Sequence, residues 1–487
     1  MKMSSLILAL SAALLAGCGQ KPDIPGPEQP VTPDGPVAAV YTTTASGELF
    51  SEKTLPLGKP EDVHFYKVER SGETFQEVDG FGLAVTQASC YNLQLMPEEA
   101  RTAFLTELFS RETGLGSSLI RVCIGGSDFS LNEFTWCDEP GMENFGVHPL
   151  DEEWLFPVLD EIFRINPGVK IIASPWSCPR WMKMSESGGA YDAWTGGRLN
   201  PAHYQEYADY FVRWIREMEK RGYPVYAVTL QNEPLNRGNS MSLYMPWEDQ
   251  RDFVKQAVGP AFRAAGLKTK ILLFDHNYNY DDIVSQRDYP LHILEDADAA
   301  QYVAGSAWHN YGGSVSTLDK VHAAFPDKEI YFTEASIGTW NYSFAGCLIN
   351  DFRDIFLGTL GRYGKGVTLW NLMLDDKREP YRPGGCDRCF GAVTLSSSDR
   401  RTLTRNSHYY NVAHCSKVLD PGAVRLGTKG YESAGLTYQW YRNPDGSQAL
   451  LLLNEGTSEA LVNFVTDRYS LSCKVPARAI QSVRWKE

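Results

Sequence analysis

Ala227-Val228-Thr229-Leu230-Gln231-Asn232-Glu233-Pro234 opens as an apolar, β-branched run and stops on a carboxylate followed by proline. Such a run reads as a short buried strand, which proline ends by withholding the backbone donor a further ladder bond needs. A second run, Ile330-Tyr331-Phe332-Thr333-Glu334, also stops on a carboxylate. Six more runs of the same kind lie around these two, at 77–86, 119–124, 169–174, 271–275, 304–309 and 367–371. Amphipathic, helix-like stretches separate them at 97–109, 152–165, 201–220, 247–265 and 348–363. Pro97 and Pro201 fall where the first turn of a helix tolerates proline, and Asn200 is a suitable N-cap. Eight strand–helix alternations over about 300 residues predict an α/β fold, the (β/α)8 TIM barrel. An open eight-stranded sheet is compatible with the periodicity alone.

The flanks differ in character. From residue 411 the runs at 436–441, 449–453, 460–464 and 482–485 are short, alternating and separated by Gly, Asn, Asp and Ser. They predict a small antiparallel β-sandwich over 411–487, completed by strands in 41–70, with the barrel occupying 71–410. At the start, Lys2 precedes an apolar run at 6–15 that ends in Leu15-Ala16-Gly17-Cys18. The pattern predicts a secretory signal over 1–17, acylation of Cys18, and a Pro- and Gly-rich tether over 18–40. The expected location is therefore the cell envelope, as an exported lipoprotein anchored in the membrane through Cys18 and facing either the periplasm or the outside. No later run is long enough to span a bilayer.

With 43% hydrophobic residues in 487, the chain has enough apolar side chains for a large core. Its net charge of −14 argues against nucleic acid as a partner, since phosphate binding needs a basic face. Nine cysteines remain beyond Cys18, an odd number, so at least one thiol is unpaired within the chain or pairs between chains. Cys386-Asp387-Arg388-Cys389 lacks a second pair at zinc spacing, which favours a local disulfide or free thiols over a metal site.

In a barrel the C-terminal strand ends converge on one mouth, so Glu233 and Glu334, ending the fourth and seventh runs, face each other. Cleavage of a glycosidic bond needs such a pair: one carboxyl to protonate the leaving oxygen, one to attack or to activate water. Other strand ends supply compatible groups. Arg121 and Asp128 follow the second run, Trp176 the third, His309 and Tyr311 the sixth, and Trp370 the eighth. A cation near one carboxylate keeps it ionised, indole faces stack on sugar rings, and Asn232 can donate to a sugar 2-hydroxyl. No metal and no organic cofactor is called for. A non-catalytic glycan-binding lipoprotein could use the same scaffold, but it would have no need of both carboxylates.

The runs VDGFGLAVTQAS (78–89), IRVCIGGSDFS (120–130), ASPWSCPRWM (173–182), VTLQNEPL (228–235), WHNYGG (308–313), TEASIG (333–338) and LWNLMLD (369–375) resemble glycoside hydrolase family 30. The resemblance implies a barrel with a sandwich built from both termini, and hydrolysis with retention of configuration. It implies Glu233 as acid/base and Glu334 as nucleophile, supported by Arg121, Asn232, His309 and Tyr311. Asp128, Trp176 and Trp370 would line the glycone subsite. The segment PGGCDRCFGAVT (383–394) is similar to the β-1,6-glucanase branch, which makes endo-acting cleavage of β-1,6-glucan the expected activity. A glucosylceramidase or exo-acting β-glucosidase is the alternative. Cys123, Cys178 and Asn310 depart from the family pattern close to the expected subsites.

Overall fold

A computed structural model describes residues 35–278 and 283–487. Eight parallel strands form one sheet: β1 (Gly80–Leu83), β2 (Leu119–Cys123), β3 (Lys170–Ser174), β4 (Val225–Thr229), β5 (Lys270–Asn277), β6 (Gly305–His309), β7 (Glu329–Glu334) and β8 (Gly364–Leu369). Neighbours run in sequence order from β2 to β8, and β8 pairs with β1. The ring closes between β1 and β2, where Val85 N donates to Arg121 O at 2.8 Å and Ala84 bridges Arg121. Gly82 permits that closure, because a Cβ there would lie 1.8 Å from the Leu119 carbonyl oxygen. All eight expected runs overlap these strands, and the open-sheet alternative falls with the closure.

Inside the barrel, side chains stack in layers, as two-residue alternation requires. At the bottom, Asp79 and Glu329 are bound by Lys170, Lys270 and Lys365. Above them sits an apolar layer of Leu119, Ile172, Ala227, Leu272, Ala307 and Tyr331. Two residues further along, the layer turns polar: Arg121, Ser174, Thr229, His309 and Thr333, all buried. The expected extent of the fourth run is corrected, since Leu230, Gln231 and Asn232 have already left β4. Outside, helices cover the strands. Tyr204–Lys220 buries Tyr207, Phe211, Trp214, Ile215 and Met218, an apolar stripe at helical spacing.

The second part is a nine-stranded sheet in the order 51–56, 37–44, 479–485, 448–454, 436–442, 424–430, 67–77, 460–465, 470–475. Strands from both termini join it, Val37–Thr44 pairing with Ala479–Trp485. Gln448–Asn454 is buried along its whole length because it serves two cores. Leu450 and Leu452 pack within the sandwich with Trp440 and Phe464, while Ala449, Leu451 and Leu453 face the barrel. The helix Ser407–Val418 lies at this junction, where His414 bonds Ser482 Oγ at 2.9 Å and Thr43 Oγ1 at 2.8 Å. Burial pushes the His414 imidazole down to about 3.

Three expected boundaries are corrected. The division at 70/71 falls inside Lys67–Glu77, a sandwich strand that ends before β1 begins, so the run at 77–86 belongs to two sheets. The division at 410/411 falls inside the helix Ser407–Val418, and the tether limit at 40 falls inside the strand Val37–Thr44. Cys18 and the signal segment lie outside the described residues. Among the described residues, no helix is long and apolar enough to cross a membrane.

Candidate active site

Glu334 is the last residue of β7, and Glu233 follows β4 by four residues. Glu233 holds a left-handed backbone conformation (φ 46°), pinned by its own N–H to Asp275 O at 3.0 Å and by Asn236 N to its carbonyl at 2.8 Å. A non-glycine residue there costs about 1–2 kcal/mol, and here the turn aims the carboxyl across the mouth. One oxygen of Glu233, one of Glu334 and one nitrogen of His309 lie within 4.8 Å of each other. That proximity is compatible with a retaining pair, whose carboxyls stand about 5–5.5 Å apart. These three atoms could hold a cation between them, but a fixed positive charge is already built in beside them.

That charge is Arg121, fully buried at the mouth of β2. Its Nη1 donates to Glu334 Oε2 at 2.5 Å, and its Nη2 donates to Asn232 Oδ1 and Asp275 Oδ2, both at 2.7 Å. Its guanidinium lies 5.0 Å from the Trp176 ring centre and 5.6 Å from that of Trp370. Because arginine only donates, Asn232 must turn its Oδ1 to it, which leaves the amide Nδ2 for the cleft. Tyr311 donates to Glu334 Oε1 at 2.9 Å. Both oxygens of Glu334 are thus held by donors.

Asp275 organises the layer from beneath. It accepts from Arg121, Ser174 (2.9 Å), Thr229 (2.7 Å) and Thr333 (2.6 Å), and it meets His309 Nε2 at 3.1 Å. The sequence reading missed it. Counting alternate residues from Leu272 would turn Phe274 inward, but a β-bulge with positive φ at Phe274 and Asp275 shifts the register by one. Phe274 therefore packs outward with Tyr289, and Asp275 takes the inner place.

His309 links the carboxylates: its Nδ1 lies 3.4 Å from Glu233 Oε1, and its Nε2 faces Asp275. Burial acts against its charge, but the charge of Glu334 and the bonds to Asp275 and Glu233 prevail and raise the imidazole to about 9. For Glu233, burial is outweighed by the His309 bond, the charges of His276 and His309, and the Asn236 amide, which hold it at about 2. Burial pushes Glu334 upward, with His309 and Arg121 pulling back. In this arrangement the proton rests on His309 beside an ionised Glu233, while Oε2 of Glu334 faces a group that can only donate.

A model of the glycosyl hydrolase family 30 TIM-barrel domain matches residues 78–419, and the family 30 beta sandwich domain matches 422–483. The chain belongs to glycosyl hydrolase family 30. It is a retaining glycoside hydrolase. Relatives include an endo-1,6-beta-D-glucanase of Neurospora crassa, 32% identical over 403 residues and 80% of each chain. A putative glucosylceramidase 1 of Caenorhabditis elegans is 29% identical, over 86% of this chain and 82% of its own. The solved structure of an endo-beta1,6-glucanase superimposes with a TM-score of 0.90 at 48% identity, covering 93% of this chain and all of the other.

In this family 30 chain all nine site residues expected from the sequence converge. Trp370 and Asp128 line the cleft, and Trp176, itself buried, stacks on Trp370 at 5.0 Å. Burial, with the nearby charges of Glu334 and Glu233, pushes the Asp128 carboxyl well up. Asp128 Oδ1 lines the cleft and finds no partner within the protein, so it is free to bond a sugar hydroxyl; Trp176 Nε1 and Asn371 Nδ2, in fully buried side chains, also find none. Cys386 and Cys389 form a disulfide, resolving the choice left open for that motif, and both line the cleft of about 610 Å³. Their loop presses on the floor through Arg382 N, which donates to Asp128 O at 2.7 Å. Seven other described cysteines are unpaired, among them Cys123 and Cys178, both buried. Asn236, His276 and the disulfide loop were not among the expected site residues. They sit in loops or beside the bulge, where no periodicity marks them.

Proposed function

We propose that the chain cleaves β-1,6-linked glucan internally, by double displacement. The observation that carries this reading is the close Glu233–Glu334 pair with Arg121 fixed on one member. Similarity to endo-β-1,6-glucanases, including one solved structure at 48% identity, supports the choice of linkage. A glucosyl unit rests on Trp370 with hydroxyls toward Asp128 and the Asn232 amide. Glu334 attacks the anomeric carbon, and the C1–O bond breaks as the proton held by Glu233 and His309 passes to the departing oxygen. Glu233 then takes a proton from water, whose oxygen displaces the Glu334 ester and restores the starting configuration. The bond from Asn232 to the 2-hydroxyl strengthens as positive charge develops on the ring.

Incubation with linear β-1,6-glucan, β-1,3-glucan, xylan and glucosylceramide, with product sizing over time, tests the substrate. A ladder of oligosaccharides from β-1,6-glucan alone is expected. Release of glucose only would favour an exo-acting β-glucosidase, and turnover of the lipid alone a glucosylceramidase. We also propose that the mature chain is exported and lipid-anchored at Cys18, a reading supported by the run at 6–15 and its Leu-Ala-Gly-Cys ending. Labelled palmitate should enter the wild type and not a Cys18→Ser variant.

A further inference from the structure

Trp340 is the only one of the 12 tryptophans that is exposed, at 41%, and it lines the catalytic cleft. An indole left in water at a cleft rim is unexplained by packing. It is also held in place. Its ring lies across Gly338, where a Cβ would come within 2.1 Å of it, so no side chain could stand there. Gly338 pairs with Cys389 across a short antiparallel ladder, and Thr339 N donates to Arg388 O at 2.9 Å. The disulfide loop therefore braces the platform.

Its position follows from the chemistry. The glycone fills the end of the cleft at Trp370 and Asp128, so the leaving oxygen must point to Glu233. The next sugar lies beyond Glu233, toward the mouth. Tyr311, 45% exposed, and Trp340 stand there, and Asn277 offers a buried amide oxygen with no protein partner. We propose that Trp340 is the stacking platform for the sugar on the leaving-group side, and hence for an incoming sugar acceptor. On the acceptor route, a sugar hydroxyl gives its proton to Glu233, its oxygen bonds to C1, and the C1–Glu334 ester breaks. The inference rests on the β-glucan reading above, but its test does not depend on the linkage.

The donor is β-glucosyl fluoride, which has no leaving-group ring, and the acceptor is methyl β-glucoside. Both transfer and hydrolysis pass through one glucosyl-enzyme, so their ratio reports acceptor binding alone. For Trp340→Ala the ratio of transfer to hydrolysis should fall at least tenfold, and Trp340→Phe should restore part of it. An unchanged ratio in a folded Trp340→Ala protein overturns the proposal, as does a wild type that makes no transfer product. Transfer that depends on Trp340 but builds linkages other than 1,6 would refute the glucanase reading and leave the platform standing. Failure of the wild type to consume the fluoride refutes both.

Discussion

Replacing Asp275 by Asn tests the charge arrangement of the site, because it keeps shape and removes one buried negative charge. Asp275 serves Arg121 and His309 at once, at 2.7 and 3.1 Å. Breaking a buried pair by neutralising one partner costs about 3–5 kcal/mol, so the urea midpoint should drop while the protein still folds. The larger interest lies in the pH profile. His309 is raised from 6.5 to about 9 by Glu334, by the bonds to Asp275 and Glu233, and by the charge of Asp275, all against burial. That rise corresponds to roughly 3 kcal/mol. Asp275 supplies two of the four favourable contributions, so its loss should bring His309 down by about one unit or more. Arg121, released from Asp275, acts more strongly on Glu334 and lowers that carboxyl as well. Both limbs of the kcat/KM profile should therefore move to lower pH, the alkaline limb because the shared proton is lost earlier. NMR titration of His309 gives a second readout. An alkaline limb unmoved in a folded Asp275→Asn protein would refute the account of His309 as the proton's co-holder.

Other consequences are direct. Glu334→Gln should leave folding and sugar binding intact while residual turnover falls to a few per cent or less, measured against the same glucan; substantial activity would reassign the nucleophile. Glu233→Gln should slow glucan cleavage by roughly 10²–10⁴-fold, yet slow the first step on β-glucosyl fluoride far less, because fluoride departs without a proton. His414 has a folded value of about 3 against 6.5 in the unfolded chain, so its contribution is complete above 6.5 and lost as pH falls toward 3. Between pH 6.5 and 4.5 that amounts to about 2 kcal/mol, and His414→Gln should flatten the acid dependence of the urea midpoint by that much. Replacing Cys386 and Cys389 by Ser opens a ring so short that the stability loss should be about 2 kcal/mol, whereas KM for glucan should rise because the loop over Asp128 and beside Gly338 loosens. A KM unchanged in that double variant would show that the loop holds its place without the bond.

What could be read from the sequence followed from where physical periodicity survives. The eight runs announced themselves because barrel strands are buried on both faces and read as unbroken apolar stretches. Glu233 and Glu334 were legible because a carboxylate closing such a run has no packing role. Asp275 was not, since the bulge at Phe274 reverses inside and outside and nothing in Leu272-Leu273-Phe274-Asp275 marks the extra residue. The helix Ser407–Val418 escaped for a different reason. Nearly every residue of it is buried, between barrel and sandwich, so no polar face alternates with an apolar one and the boundary at 411 was drawn through it. Trp340 looked like any core aromatic, because exposure of an indole is a property of the loop around it.

The polar layer also explains how one arrangement serves both steps. Glu233, Glu334 and Asp275 bring three negative charges, and Arg121 with protonated His309 brings two positive ones, leaving one negative charge. Moving the shared proton from His309 to Glu233 neutralises both partners and does not change that total. Asp128, pushed well up by burial and by the two glutamates, adds no charge when protonated. The transition states on either side of the glucosyl-enzyme place partial positive charge on the sugar ring. A buried layer carrying one fixed negative charge is complementary to that ring before it forms, and water need not reorient to make it so. The apolar layer of Leu119, Ile172, Ala227, Leu272, Ala307 and Tyr331 lies directly beneath, where it keeps the surroundings poorly polarisable and the charge effective. Asp275 is then the residue on which the balance turns: without its charge the total is zero, and the site favours the ground state and the transition state more nearly alike.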